Sequence, residues 1–195
     1  MAVSLVGCTS LIPGADNPPD LYTLTPKNTF DETLPEVTNQ LLVEVPIAAE
    51  GLNSHRIALS RGALSLDYFA NARWTERAPL LVQTLLVESY ENTGRIVSVA
   101  RDGTDLRADY VLKTELREFQ AQYADTASPP TINVRVIAKL IKMPERSIMA
   151  SESFDATIAA DGTSMVEVVR AFDDALGKVL KRLVAWSMPL IATGG

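Results

Sequence analysis

The chain has 195 residues but only one cysteine, Cys8, and one histidine, His55. A single cysteine cannot form an internal disulfide, so cysteine usage is silent about redox compartment. One histidine and one distant cysteine are too few to hold zinc. His55 follows Ser54, but adjacency in sequence does not bring a hydroxyl to an imidazole, and no orienting carboxylate lies nearby; it reads as a solvated loop histidine. Gly-x-Ser-x-Gly, Gly-x-Gly-x-x-Gly and phosphate-loop patterns are missing. Asp102, Asp105 and Asp109 cluster without the twelve-residue calcium-loop pattern, and read as a solvated turn. Asp173 and Asp174 are no catalytic dyad, because helical neighbours diverge by ~100°. These absences predict a protein that is not an enzyme and carries no cofactor or metal. No apolar run reaches ~18 residues, so no transmembrane helix is expected. Basic residues are outnumbered 18 to 24, for a net charge of −6. Without a basic stripe, nucleic acid is excluded as a partner.

What is present begins at the N-terminus. Leu5-Val6-Gly7-Cys8 places the cysteine behind a small residue and a short apolar run. Bacterial lipoprotein signals have this form: a peptidase that accepts a small residue cuts before the cysteine, whose sulfur carries diacylglycerol. The alternative is a small buried or idle thiol, since cysteine also behaves as a hydrophobe. A full signal has a basic region and ~7–15 apolar residues. Only Met1–Gly7 precede Cys8, with no Lys or Arg, so residues 1–8 read as a truncated signal and lipidation box. Residues 9–40 read as a tether, with Pro13, Pro18, Pro19, Pro26 and Pro35 stiffening it. Within the tether, Leu21–Leu24 has the alternation of an edge strand.

Residues 41–188 read as one domain, within the usual size range. Short strands are expected at Leu41–Val45, Ile57–Ser60 and Leu66–Phe69, with Asn71–Trp74 leading out of them. A helix from about Pro79 to Glu91 has Leu81, Val82, Leu85, Leu86 and Tyr90 on its apolar face, with Gln83, Thr84 and Glu88 largely opposite. Three alternating segments, Tyr110–Phe119, Ile132–Lys142 and Ile148–Ile158, predict an antiparallel meander solvated on one face. Phe119 falls out of phase, which predicts a bulge or strand end. Ser164 and Glu167 form a capping box ahead of a long helix whose stripe includes Phe172, Leu176, Val179, Leu183 and Trp186. Pro189 is expected to end it, leaving 189–195 as a flexible tail. The fold class is therefore α/β of the α+β kind: a mixed, mostly antiparallel sheet with two main amphipathic helices packed on one face. Trp186 reads as core. Trp74, beside Arg73, either packs under the first helix or joins Arg73 on a partner surface.

The order of these features resembles a known family. The Leu-Val-Gly-Cys box, Leu21-Tyr22-Thr23-Leu24-Thr25-Pro26, Leu42-Val43-Glu44-Val45-Pro46, Leu66-Asp67-Tyr68, Arg73-Trp74, Ala108-Asp109-Tyr110-Val111-Leu112 and a C-terminal helix ending near Trp186 are similar to the ABC-type transport auxiliary lipoproteins, the PqiC-like family. The resemblance implies a non-catalytic lipoprotein on the periplasmic side of the Gram-negative outer membrane, held by acylated Cys8. It implies MCE-domain proteins and ABC transporter components as partners and lipid transport and envelope integrity as the process. Homo-oligomerisation is left open. The competing expectation is an envelope lipoprotein that activates a peptidoglycan synthase, which would co-purify with that enzyme.

Overall fold

The computed structural model describes residues 18–30, 33–101, 107–125 and 127–194. Cys8, Asp102 and Asp105 lie outside them. The described residues form nine strands and two helices: β1 (Asp20–Tyr22), β2 (Val37–Val43), β3 (Ile47–Ala48), β4 (Arg56–Ser60), β5 (Asp67–Trp74), α1 (Ala78–Glu91), β6 (Ile96–Arg101), β7 (Tyr110–Gln122), β8 (Thr131–Lys142), β9 (Ser147–Ala159) and α2 (Met165–Thr193).

The spine of the single sheet is β7. One edge pairs along its whole length with β8, which pairs in turn with β9, both antiparallel. This is the expected meander. The other edge of β7 is shared: β2 runs parallel to residues 110–112, β3 to 115–116 and β4 to 120–122. Beyond β2 lies β6, parallel to it. Beyond β4 lies β5, antiparallel, and β1 adds a parallel edge to β5. The parallel pairings are short and the long ladders are antiparallel, so the sheet is mixed and mostly antiparallel.

The phase break at Phe119 is a bulge. Leu116 faces Val136 while Glu118 faces Arg135, leaving Arg117 unpaired. One inserted residue turns Phe119 to the same side as Leu112 and Leu116, where all three are buried. There it meets Trp74 of β5 and Phe172 of α2, with ring centroids 5.5 and 5.1 Å away; Trp74 and Phe172 are 5.2 Å apart, edge to face.

Both helices pack on this face. The spacing that placed Gln83 on the polar side of α1 is corrected by packing: Gln83 and Ser89 are buried as well. The helix is enclosed by sheet, α2 and the N-terminal segment, so its polar groups need internal partners; Thr84 Oγ1 is buried without one, and the others are paired. Gln83 Nε2 donates to the Val43 carbonyl at 2.9 Å. The Ser89 hydroxyl accepts from the Lys27 amide at 2.9 Å. Tyr90 and Ser187 share a 2.5 Å hydrogen bond between the helices. Burial holds the Tyr90 phenol protonated far above its ordinary range, with the Ser187 bond opposing this only in part.

α2 starts as expected. Ser164 Oγ accepts from the Glu167 amide, and the Glu167 side chain returns a bond to the Ser164 amide. The Ser164 hydroxyl, which also donates to the Glu167 carboxylate at 2.6 Å, and then the Ser164 amide hold that carboxyl below its usual range. The end differs from the expected stop at Pro189: the helix continues to Thr193 with Pro189 inside it. A proline inside a helix costs ~3 kcal/mol. Burying Met188 and Ile191 on either side, at ~1.5–3 kcal/mol each, offsets that. Lys142 Nζ also donates to the Gly194 carbonyl. Residues 189–193 are thus part of the helix and not a loose tail.

The expected tether likewise gives way, from Asp20 on, to a strap of the folded domain. Leu24 and Leu34 are buried. Thr25 donates from its amide and hydroxyl to the Asp173 carboxylate at 2.6 and 2.8 Å. Asn92 Nδ2 donates to the Lys27 carbonyl at 3.1 Å.

Phe172→Ala removes the ring shared by α2, β5 and β7. It should destabilise the domain by about 3–5 kcal/mol in urea unfolding followed by circular dichroism.

Candidate docking surface

The site residues named from sequence separate in the structure. Trp74 is only 1% exposed and belongs to the core, while Arg73 is exposed. Consecutive strand residues face opposite sides of a sheet, so the two cannot form one surface. Arg73 sits between Arg56 of β4 and Leu21 of β1. His55 is exposed, and its carbonyl accepts from the Trp74 amide at 2.7 Å. The Ser54 hydroxyl accepts from the Arg56 amide at 3.1 Å, within its own loop. Trp186 is half-buried and packs edge to face on Phe154, centroids 5.5 Å apart. Asp173 secures the strap, as described above.

Asp109 has a building role. Its carboxylate accepts from the Gln40 amide at 2.8 Å, and its own amide donates to the Gln40 carbonyl at 3.0 Å. Its carbonyl accepts from the Met143 amide at 2.9 Å. One residue therefore aligns the start of β7, the middle of β2 and the turn after β8.

That alignment creates a feature on the sheet face away from the helices. Ala100, Leu42, Val111, Ile141 and Ile148 stand opposite one another in register across β6, β2, β7, β8 and β9. Over most of its length this face is solvated, as expected, by Asn133, Arg135, Gln120 and Gln122. At this end it is apolar. Val111 is buried yet stands apart from the main core, and Ile148 is 60% exposed. Two clefts of about 290 and 320 Å³ flank the row. Val111 and Met143 line both and form the ridge between them. Arg146 and Lys113 edge one cleft, where Lys113 pairs with Glu44 at 3.0 Å, and Arg107 edges the other. An apolar ridge with a mostly basic edge suits a protein surface better than a small polar ligand.

A larger groove of about 560 Å³ lies between the strap and α2. Its lining is polar and mixed in charge, with Lys27, Lys178 and Lys181 beside Asp173 and Asp174. Among the described residues no group of three or more His, Cys, Asp or Glu side chains is arranged to hold a metal ion. Among them, too, no helix is long and apolar enough to cross a membrane.

The family model for the ABC-type transport auxiliary lipoprotein component matches residues 22–184. The chain belongs to this family. The assignment covers both the strap and the domain, so the strap is part of the family's unit. A crystal structure of protein XCC0632 from Xanthomonas campestris is 30% identical and superposes with a TM-score of 0.81 over 87% of this chain and 95% of that one. An uncharacterized protein of Bradyrhizobium diazoefficiens, bll6063, is 28% identical over 121 residues, which is 62% of this chain and 32% of that protein. The chain thus spans about a third of that relative's length. A PelC dodecamer from Paraburkholderia phytofirmans shares the fold, with 15% identity and a TM-score of 0.50 over 78% of this chain and 92% of that one. This auxiliary lipoprotein component therefore presents the family fold with an apolar row at one end of its open sheet face.

The row was not visible in the sequence. Leu42, Val111 and Ile141 sit in the phase that elsewhere on these strands is mostly polar, with Gln40, Lys113, Glu115, Lys139 and Arg135 among its residues. Val111 and Ile141 are apolar in that phase, but Ile148 alternates with Phe154 and Ala156 and reaches this face only through the irregularity in the β8–β9 ladder, so the row becomes a surface only once the register is known.

Asp109→Ala should cost about 1 kcal/mol for the lost charge-assisted bond at an exposed site. Hydrogen exchange at the Gln40 amide should accelerate, whereas Asp109→Asn, which keeps an acceptor oxygen, should leave it protected.

Proposed function

We propose that this protein is a non-catalytic, lipid-anchored subunit of an MCE/ABC-type lipid transport system, which docks the transport assembly at the periplasmic side of the outer membrane and so supports envelope integrity. The observation that carries the reading is the apolar row at the end of the sheet away from the strand that receives the N-terminal chain. The strap enters at β1, beside β5, and β1 pairs with the part of the sheet farthest from Leu42, Val111, Ile141 and Ile148. A domain held through Cys8 by its N-terminal side would offer the opposite end to a partner. The occupant of the row is a periplasmic protein component of the transporter, such as an MCE-domain protein, with an apolar centre and an acidic or neutral edge. A net charge of −6 favours a basic or neutral partner surface for the chain as a whole, whereas Arg107 and Arg146, beside Asp109 and the Glu44–Lys113 pair, favour an acidic or neutral one at this face.

Acylated Cys8 supplies the anchor. One acyl chain holds a protein only marginally and two or more hold it stably. The family description as a lipoprotein supports this role for the chain's single cysteine.

Two measurements test the reading. Intact mass of the protein from the membrane fraction of a native host should show diacylglycerol on Cys8, and Cys8→Ser should release it to the soluble periplasm. An unmodified mass with unchanged membrane association in Cys8→Ser would remove the anchor. Ile148→Asp places a charge on an exposed side chain of the row. It should reduce capture of transporter components from detergent extracts at least tenfold while leaving the unfolding midpoint unchanged, and undiminished capture would remove the row as the docking face.

A further inference from the structure

We propose that the β4–β5 hairpin tip, residues 61–66, is a lipid-contact finger that seats this domain on the bilayer surface beside its anchor. The inference rests on the reading of Cys8 as the tether.

The tip reads Arg61-Gly62-Ala63-Leu64-Ser65-Leu66. Leu64 is fully exposed and Leu66 about half exposed. A large apolar side chain at the end of a hairpin gains nothing for the fold, and an aliphatic side chain moved out of water gains ~1.5–3 kcal/mol. The tip's backbone is nonetheless held in place. Ser60 Oγ donates to the Gly62 carbonyl at 2.6 Å, and the Ser65 amide donates to the same carbonyl at 3.3 Å. At its base Leu66 leans on Gly51, where an added Cβ would run into Leu66 Cδ2. Leu64 is thus projected from a braced turn. The charge of Arg61 is paired with Asp67 at 3.4 Å.

The occupant follows from where the N-terminal chain arrives. β5 leads away from the tip, and β1 runs parallel to β5 with Asp20 opposite Ala72. The residues ahead of Asp20, Pro18 and Pro19, therefore approach from the tip's side. Asp20 stands five residues along β5 from Asp67, ~17 Å at strand rise, and Pro18 is closer still. Cys8 lies ten residues ahead of Pro18, a span of at most ~36 Å. A chain acylated at Cys8 keeps this end of the sheet within that distance of the bilayer. The row at Val111 lies ten residues of β7 below Ala121, which pairs with Leu59 just under the tip, so it is ~30 Å from the tip's end of the sheet. The other charged groups towards this end are mixed in sign, with Asp20, Asp125 and Asp161 acidic and Arg56 and Arg73, level with β1, basic, so they form no cationic surface. The finger therefore meets the membrane through apolar contact and not through attraction to anionic headgroups, and phosphatidylcholine vesicles suffice as the probe.

Cys8 is the sole thiol of the full chain, so it can be coupled to a maleimide-bearing lipid in such vesicles whether or not cells acylate it. This separates the finger from the anchor reading, which the intact mass decides. With brominated acyl chains in the vesicles, Leu64→Trp should add indole emission that the bromines quench, beyond the emission of buried Trp74 and half-buried Trp186. Ile148→Trp, at the far end of the sheet, should add emission that is not quenched. Both substitutions fall on exposed side chains, and circular dichroism checks that the fold is kept. No quenching of the indole at position 64, or equal quenching at both positions, would overturn the proposal.

Discussion

The contact of Phe119 with Trp74 and Phe172 is the constraint on which the architecture depends. β7 must serve two short parallel groups on one edge, β2 with β6 below and β4 with β5 and β1 above. A strand of thirteen residues with unbroken alternation would turn Phe119 outward after Leu116. The bulge at Arg117 resets the phase, so that β7 presents a buried and, apart from Thr114, apolar face to the helices along its length. Phe119 then joins the upper strands to α2 through one aromatic junction. The same bulge lets the two groups fan apart, because a bulge bends and twists the strand that carries it.

The molecule that results has two different ends. At one lie the braced hairpin tip and the chain's approach to β1. At the other lie Asp109, the turn after β8 and the apolar row. The length of β7, ~40 Å at strand rise, separates them. The proposed role, a lipid-tethered docking subunit, requires facing a membrane and a partner at once, and a long ribbon with distinct ends suits that with no moving part. Its polar interior serves rigidity: Gln83, Ser89 and Tyr90 bind α1 to the sheet, the strap and α2. Each such bond adds only ~1 kcal/mol, but leaving any one unmade in the interior would cost more.

Local pattern carried much of this. The alternation of β7, β8 and β9, the capping box at Ser164 and the phase break at Phe119 follow from side-chain direction along a single element, and the structure shows each of them. Gln83, Pro189 and the strap depart from the local pattern for a common reason. Each is polar, helix-breaking or proline-rich by composition, yet each is settled by what packs beside it. Burial of Met188 and Ile191 carries α2 through Pro189, and Asp173, far along the chain, seats Thr25. Arg73 and Trp74, neighbours in sequence, part company because a strand sends them to opposite faces.

The sequence by itself determined the family, the fold class, the lipidation box as a candidate anchor and the poverty of catalytic groups, since each depends on residue type and short-range spacing. Only the tertiary structure decided which surfaces exist. The row joins positions 42, 100, 111, 141 and 148 from five strands, and the approach of Pro18 toward the hairpin tip depends on the direction of β1 against β5. Register and strand direction are set by the sum of many long-range contacts, and no local period encodes them.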